Sequence, residues 1–468
     1  MLLVEPAVSP TNSDPRASHA RFSTSLTREH GYEPLRVEGT LPQGLEGTLL
    51  RNGPGLLESF GKPYSHLFEG DGALLAVHLE GGRARGAHRV IESAELAEER
   101  RRGRPLYGTN AGQVARTWNG LRRRMKNAAN TSVMAWQGRL LALFEASLPT
   151  EVTLDDLATV GATDLDGVVA GTFSAHPHRV ASRRTTYNFG QRVGARTLLD
   201  VYALPDVGPA SRLTTVPLER PVMLHDFIAT ERHLIFFVAP ARIVRWRGLL
   251  GVGDFNDYFR WSPEDGAEVI VIPIDAPERV VRFHVDPFWV WHFGNAYERG
   301  PDELVIDWVR YPDFASLDAL REPGVPVRQG QLVRSVLRPS QRTLSAPEPL
   351  SDLPCEFPTI DPRHAGARVD SIWVASDAAR CRIARVDVEG GGERVWELPV
   401  DHRPSEPVFV PGDAGGWALT LVYDAVRHES YVAVLDGARP EDGPVARVWL
   451  GHHTPPTFHG VFLPLAKR

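Results

Sequence analysis

The sequence is divided into many short apolar runs, each about the length of a β-strand, that Gly, Pro and Asp interrupt. The runs are rich in β-branched and aromatic residues and are bounded by turn formers, which is typical of strands. Helical periodicity is scarce: residues 93–102 and 113–127 are the best candidates, and we interpret both as insertions between strands. The runs that show the strand pattern best are residues 48–51, 73–77, 139–144, 234–238, 268–273, 371–374 and 431–435.

So many short strands, without a break in composition, predict one large all-β unit. A β-propeller would close that many strands radially and leave only short edges. The sequence has no Trp-Asp blade signature, so the residues alone leave a propeller and a large β-sandwich both open. We divide the chain into a polar, proline-containing N-terminal extension over residues 1–35 and a single domain over residues 36–468.

Composition excludes several classes of function. Lys and Arg number 52 and Asp and Glu 58, and this net charge of −6 argues against a nucleic-acid-binding protein. The one dense basic tract, residues 122–126, is interpreted as a solvated helix face rather than a phosphate or lipid-headgroup site. Two cysteines make neither a disulfide framework nor a zinc site, which favours a reducing cytoplasm. No secretory signal and no apolar run of about 20 residues is present, so we expect no membrane-spanning segment.

Four of the 17 histidines have apolar or aromatic neighbours that predict a buried imidazole. A single buried histidine is usually a core residue whose ring is bonded to a backbone carbonyl, and spacing alone cannot show that the four converge. They are too far apart for a local metal motif, but they suit a propeller in which different blades each direct one side chain to the axis. Imidazole binds iron, copper, zinc or nickel. The four are His176, His225, His292 and His459.

Three glutamates, Glu145, Glu356 and Glu406, also have apolar neighbours. A histidine that binds a metal commonly donates its second N–H to a carboxylate, and these side chains are candidates for that role. Glutamates at strand ends are more often solvated, so the residues alone leave both interpretations open.

In sequence order, these segments resemble the carotenoid cleavage oxygenases, a family that also includes stilbene-cleaving enzymes and a retinoid isomerase. The resemblance runs from about residue 41 to residue 464, and although each match is weak, their order makes the set specific. At the third histidine, relatives often have two adjacent histidines; here Phe293 takes the second place. The matching segments are Gly47-Thr48-Leu49-Leu50-Arg51-Asn52-Gly53-Pro54, His66-Leu67-Phe68-Glu69-Gly70-Asp71-Gly72, Lys126-Asn127-Ala128-Ala129-Asn130-Thr131, Leu143-Phe144-Glu145, Ser174-Ala175-His176-Pro177, Leu224-His225-Asp226-Phe227, Trp291-His292-Phe293-Gly294, Glu356-Phe357-Pro358, Ser405-Glu406-Pro407 and Phe458-His459-Gly460.

The resemblance implies a seven-bladed β-propeller with a dome of loops and helices over the iron-binding face. It implies one Fe(II) per chain, bound by the four histidines, with the three glutamates orienting three of the rings. The implied reaction adds both atoms of O2 across one conjugated C=C bond and gives two carbonyl products, with no external reductant.

The substrate implied is a hydrophobic polyene. Stilbene-cleaving relatives have a lysine immediately before the first glutamate, where this sequence has Phe144, so we expect an apocarotenoid rather than a 4-hydroxystilbene. Phe144, Trp291 and Phe293 are candidates to line the cleft, and packing in the core is an equal alternative for them. Cleavage of a stilbene or phenylpropenoid is the alternative reaction, and a non-catalytic propeller scaffold is the alternative of another class. Residues 243–261 mix aromatic and basic side chains and suit either peripheral membrane contact or ordinary loop packing.

Overall fold

The computed structural model describes residues 20–321, 329–377, 380–413 and 415–465. In these residues, seven antiparallel sheets follow one another along the chain, and each is a blade of a propeller. This architecture confirms the predicted fold and excludes the β-sandwich.

Blades 1 to 4 are each a single antiparallel sheet whose neighbouring strands pair in a fixed order. Blade 1 contains, in this order, His30–Pro34, Arg83–Val90, Asp71–Glu80, Gly47–Leu56 and Gly460–Pro464; blade 2 contains Thr159–Ala162, Thr150–Val152, Arg139–Leu143 and Ser132–Trp136; blade 3 contains His178–Val180, Thr185–Val193, Thr197–Pro205 and Ser211–Leu218; blade 4 contains Ile228–Ala229, His233–Val238, Ala267–Pro273 and Val281–Val285.

Blades 5 and 6 share one long strand, Glu348–Thr359, whose first half pairs in blade 5 and whose second half pairs in blade 6. The other strands are Trp289–Glu298, Leu304–Tyr311, Gly330–Arg338 and Thr343–Leu344 in blade 5, Ser371–Asp377, Cys381–Asp387 and Glu393–Glu397 in blade 6, and Arg36–Gly39, Pro444–Trp449, Glu429–Asp436, Trp417–Asp424, His402–Pro404 and Val408–Val410 in blade 7. Two small ribbons pair Glu58–Ser59 with Lys62–Pro63 and Ala241–Ile243 with Phe259–Trp261.

The two ends of the domain close the ring. Gly460–Pro464, from the C-terminal end, pairs with Gly47–Leu56 of blade 1, and Arg36–Gly39, from the N-terminal end, pairs with Pro444–Trp449 of blade 7. Each closure therefore joins segments that are about as distant in the sequence as the domain allows. Closure in both directions covers the two end faces that an open stack of sheets would expose, and only short strand edges remain at the blades.

Apolar side chains fill the spaces between neighbouring blades. Phe236 of blade 4 packs with Leu199 of blade 3, while Phe237, the next residue, packs with Trp308 of blade 5. Successive side chains of a strand point to opposite faces, and a strand with a blade on each side must be apolar on both. This explains why residues 234–238 form a continuous apolar run rather than an alternating one.

Within the ranges that the structure describes, four helices lie in the connections between strands: α1 (Ala94–Arg102), α2 (Gln113–Arg122), α3 (Arg245–Leu250) and α4 (Ser316–Ala319). Helix α1 begins after Ser93, whose hydroxyl accepts the N–H of Leu96. Helix α2 ends before the predicted residue 127, because Arg123 has a left-handed backbone conformation. Among the described residues, no helix is long and apolar enough to span a bilayer.

The structure describes part of the predicted N-terminal extension. Residues 1–19 of the predicted N-terminal extension lie outside the described residues, and His30–Pro34 of that extension forms the edge strand of blade 1.

The interpretation of residues 122–126 as a solvated helix face is wrong for Lys126, whose side chain is buried and forms ion pairs with Asp71 and Glu99 at 2.8 Å. Such a buried cation requires partners of opposite charge, which distant segments supply.

Asn52 offers a test of how blades 1 and 2 are joined. Its buried side-chain amide donates to the backbone carbonyls of Ala129 at 2.9 Å and Ser132 at 2.7 Å. Asn52→Ala leaves both carbonyls buried without these donors, and we expect the free energy of unfolding to fall by about 2–4 kcal/mol. Urea denaturation followed by fluorescence and circular dichroism measures the change. The control Asn110→Ala removes an exposed amide bonded to Lys62 and should change stability by less than about 0.5 kcal/mol; equal effects of the two substitutions would contradict this role.

Candidate metal centre

The four histidines converge on the propeller axis from four different blades. His176 and His225 lie two and three residues before the first strands of blades 3 and 4, His292 lies in the first strand of blade 5, and His459 directly precedes the C-terminal strand of blade 1. One ring nitrogen from each lies within 4.8 Å of one from every other. His176, His225 and His292 are buried and His459 nearly so, as the apolar neighbours of each residue predict.

The remaining three blades supply the three glutamates. Glu145 follows a strand of blade 2, Glu356 lies in the strand shared by blades 5 and 6, and Glu406 precedes Val408–Val410 of blade 7. Each accepts the Nδ1–H of one histidine: Glu145 from His225 at 2.7 Å, Glu356 from His292 at 2.5 Å, and Glu406 from His459 at 2.8 Å. With Nδ1 protonated and held in this way, Nε2 of each ring keeps its lone pair and faces the axis.

His176 completes the cluster without a carboxylate. Its backbone N–H donates to the hydroxyl of Ser174, and its Nε2 is buried with no hydrogen-bond partner in the described part of the chain. Burial, together with the three neighbouring imidazoles, lowers the pKa of His176 well below its usual value. The ring is therefore neutral at physiological pH, and its orphaned nitrogen is free to bind a cation.

The side chains that donate hydrogen bonds to Glu406 and Glu356 differ in charge. Glu406 also accepts from the guanidinium of Arg51 at 2.8 Å and from the Gly460 N–H at 2.8 Å. Burial acts to raise the pKa of Glu406, but His459 and Arg51 outweigh it and the pKa is lowered. Glu356 instead has a neutral donor, the Tyr311 hydroxyl, at 2.9 Å. Burial acts to lower the pKa of His292, and the charge of Glu356 outweighs it, so that pKa is raised.

Sequence reasoning missed Arg51, Tyr311 and Phe357. Arg51 is fully buried and donates to Glu406, to the hydroxyl of Thr457 and to the carbonyl of Phe458, so it ties blade 1 to the segment that carries His459. The sequence signal that could have indicated Arg51 is its place in the segment Gly47–Pro54, directly before Asn52 and Gly53. Phe357 has a φ of 55°, a strained value for a residue with a side chain, and its ring stacks on His292 at 5.3 Å.

A cavity of about 410 Å³ lies against the cluster and is lined by His225, His292 and His459. Trp291 also lines it and donates its indole N–H to the hydroxyl of Ser316 in α4 at 2.8 Å. Apolar side chains from the loops above the blades and from the region of α4 form much of the remaining lining, beside polar ones such as Gln329 and Asp377; the apolar side chains include Leu57, Pro63, Leu67, Phe68, Ala319, Leu320, Pro456 and Phe458.

Two of the three candidate cleft residues do not line this cavity. Phe293 lies in the core between blades 4 and 5, where it packs on Phe237 at 5.2 Å, because it points away from the axis to which His292 points. Phe144 is buried and is not part of the cavity lining. Phe293 is therefore a core residue, as the alternative interpretation has it. Of the three candidates, Trp291 is the one that lines the cavity.

The donor set fits a divalent transition metal. Four imidazole nitrogens are suitable ligands for iron, copper, zinc or nickel, and three nearby carboxylates offset the charge of a cation. Hydrogen bonds fix the rings before a metal binds, which lowers the entropic cost of binding.

The chain is similar over nearly its whole length to several known proteins. The family model described as retinal pigment epithelial membrane protein matches residues 23–464. The apocarotenoid-15,15'-oxygenase of Synechocystis is 30% identical over 96% of this chain and 98% of its own. The resveratrol cleavage oxygenase 1 of Aspergillus fumigatus is 27% identical over 91% of each chain. A crystal structure of the cobalt-substituted Synechocystis ACO covers 96% of this chain and 99% of that chain, with a TM-score of 0.87 and 27% identity.

Glu356→Gln tests whether the carboxylates support metal binding. The amide keeps the size of the side chain but loses the charge that holds His292, and we expect iron(II) to bind about 10- to 100-fold more weakly. Anaerobic titration against a chromogenic chelator measures the affinity. The matched control is Glu397→Gln, which changes an exposed carboxylate on blade 6 paired with Arg380; it should leave metal affinity within about twofold. Equal affinities for all three proteins would show that Glu356 does not act on the metal.

Proposed function

The chain belongs to the retinal pigment epithelial membrane protein family, the family of the carotenoid cleavage oxygenases, and we propose that His176, His225, His292 and His459 hold one iron(II) ion with which it cleaves a conjugated C=C bond. The observation that carries this proposal is the convergence of four imidazoles beside a cavity with many apolar lining residues. Glu145, Glu356 and Glu406 orient three of those rings through their Nδ1 atoms.

In the proposed reaction, O2 adds across one C=C bond, the bond breaks, and each carbon leaves as a carbonyl with one of the two oxygen atoms. Bound iron(II) supplies the activation of O2, and the substrate supplies the electrons. The chain contributes position and exclusion of water. Phe68 meets Trp291 and Phe458 edge-on at 6.0 and 5.3 Å, and these rings form an apolar wall beside His225. Such a wall suits a flat, rigid polyene.

We propose an apocarotenoid as substrate, supported by the apolar lining and by the 30% identity with the Synechocystis enzyme. Phe144 no longer supports this preference directly, because it does not line the cavity. The similarity to a resveratrol cleavage oxygenase keeps a stilbenoid as the second candidate.

Metal analysis and an isotope experiment test the activity. We expect about one iron per chain and, with an apocarotenal under ¹⁸O2, one labelled oxygen in each of two carbonyl products. His225→Ala should lose bound iron and lower turnover by at least about 100-fold, because a metal ligand is removed. The control His284→Ala changes an exposed histidine in blade 4 and should match the wild type.

Three results would contradict the proposal in different ways. A folded wild-type protein that binds no iron would favour a propeller scaffold. Iron retained by His225→Ala would exclude this ligand set. Cleavage of resveratrol without cleavage of the polyene would reverse the substrate assignment.

We also propose that helices α2 and α3 form a docking surface for an anionic lipid bilayer, which would deliver apolar substrate. The two helices touch, since the side chains of Gln113 and Thr117 both donate to the Leu250 carbonyl at 2.8 Å. Exposed apolar side chains and arginines lie together on these helices and directly after them, a combination that favours an anionic interface. For Arg122 and Arg123, this proposal replaces the interpretation as a solvated helix face. The exposed apolar residues are Val114, Trp118, Leu121, Met125, Trp246, Leu249, Leu250 and Val252, and the arginines are Arg122, Arg123, Arg245 and Arg247.

The proposed docking surface lies close to the cavity. Phe255, in the loop after α3, stacks on His66 at 4.6 Å, and His66 lines the cavity. Arg116 of α2 donates to the hydroxyl of Tyr258 in the same loop. The loop that follows α3 thus contacts both α2 and a residue that lines the cavity. We propose cytoplasmic localisation with peripheral membrane contact; the two free, buried cysteines support a reducing compartment.

Replacing Trp118 and Trp246 with Ser should weaken co-sedimentation with phosphatidylserine-containing vesicles by at least about tenfold, because two large apolar side chains no longer enter the bilayer. Raising the salt concentration should weaken the wild-type interaction as well. Val207→Ser, an exposed substitution in a connection between two strands of blade 3, serves as the control. Equal sedimentation of wild type and the double variant, or none by the wild type, would exclude this surface.

A further inference from the structure

Asp226 is a buried carboxylate beside the metal centre, directly after His225 in the sequence, and only 3% of its surface is exposed. Its Oδ1 accepts the Nε2–H of His178 at 2.9 Å and the backbone N–H of Phe227 at 2.7 Å, and its Oδ2 accepts the backbone N–H of Phe293 at 2.9 Å. The donors lie in or beside strands of blades 3, 4 and 5. One carboxylate therefore joins three neighbouring blades next to the axis.

The strand that carries His292 is irregular at this point. Its pairing with Leu304–Tyr311 shifts register on both sides of Phe293. A bulge redirects a side chain, and it also disrupts the ladder that would otherwise fix the backbone. Here the N–H that follows His292 donates to Asp226, so a side chain of blade 4 holds the backbone of blade 5.

His459 has a similar arrangement in which one carboxylate performs two tasks. Glu406 accepts the Nδ1–H of His459 and also the backbone N–H of the next residue, both at 2.8 Å. At His292 the two tasks are divided, because Glu356 accepts the Nδ1–H and Asp226 accepts the backbone N–H of the next residue. In both places a carboxylate fixes the backbone directly after a candidate metal ligand.

We propose that Asp226 is a positioning residue of the metal centre, which sets the distance between His225 and His292. It follows the first of these histidines and binds the N–H that follows the second, so the two cannot separate without breaking a buried, charge-assisted hydrogen bond. Their Nε2 atoms lie 3.4 Å apart, and one ion can bind both only while they stay close. This inference rests on the proposed function, which it deepens by assigning the spacing of two ligands to a residue outside the ligand set.

Asp226→Asn tests the inference on the whole protein. The substitution keeps the size of the side chain but replaces one acceptor oxygen with an NH2 group, which cannot accept a hydrogen bond from an N–H. We expect iron(II) to bind about tenfold more weakly, measured by anaerobic titration against a chromogenic chelator. Cobalt(II) bound in place of iron has visible absorption bands that depend on the arrangement of its ligands, and we expect these bands to shift in the folded variant.

Asp226→Glu separates position from charge. It keeps the negative charge, but its longer side chain displaces the carboxylate from the N–H of Phe293. If position is what matters, Asp226→Glu should lose affinity for iron(II) as Asp226→Asn does. Circular dichroism confirms that each variant is folded before its metal affinity is measured.

The matched control is Asp200→Asn, which changes a fully buried carboxylate in a strand of blade 3. Asp200 accepts from the guanidinium of Arg192 at 2.9 Å and from the hydroxyl of Thr215 at 2.6 Å. Its replacement should lower the stability of the protein, yet leave the affinity for iron(II) within about twofold and the cobalt bands unchanged.

Three results would overturn the inference and leave the proposed function intact. They are wild-type affinity in Asp226→Asn, an equal loss in Asp200→Asn, and wild-type affinity in Asp226→Glu alone, which would assign the effect to charge. A wild-type protein that binds neither iron(II) nor cobalt(II) would instead contradict the proposed function itself.

Discussion

Closure of the ring is the constraint on which the metal centre depends. The four histidines lie in or beside strands of blades 1, 3, 4 and 5, and the three glutamates lie in or beside strands of blades 2, 6 and 7, so every blade places one side chain near the axis. No local segment of the chain contains two of the histidines. The site therefore exists only when all seven sheets are in place, and the pairing of Gly460–Pro464 with Gly47–Leu56 that closes the ring also fixes His459.

Electrostatics then determine what the assembled site can do. Four imidazoles without a metal leave a buried nitrogen on His176 unpartnered, and three carboxylates surround the cluster. This combination is unfavourable without a bound cation and favourable with a cation of charge two. Glu406 accepts from the cationic Arg51, whereas Glu356 accepts from the neutral Tyr311. The net negative charge beside the histidine rings is therefore unequal.

Much of this arrangement could be predicted from the sequence, because apolar neighbours mark buried residues. The flanks of His176, His225, His292 and His459 mark them as buried, and the order of the surrounding motifs indicates the family and hence the blade number. The residues alone could not distinguish a propeller from a sandwich, since both bury strands on two faces. Residues whose position depends on contacts distant in sequence could not be assigned: Phe293 points into the core, and Lys126 is buried because Asp71 and Glu99 meet it.

X-ray absorption at the iron edge tests the central claim most directly, because it counts the ligands of the metal without reference to activity. The geometry predicts an iron surrounded by four imidazole nitrogens from the protein, at the distances usual for histidine ligands, with the carboxylates outside the coordination sphere. A spectrum with fewer imidazoles, or with a carboxylate or a sulfur bound directly to iron, would contradict it.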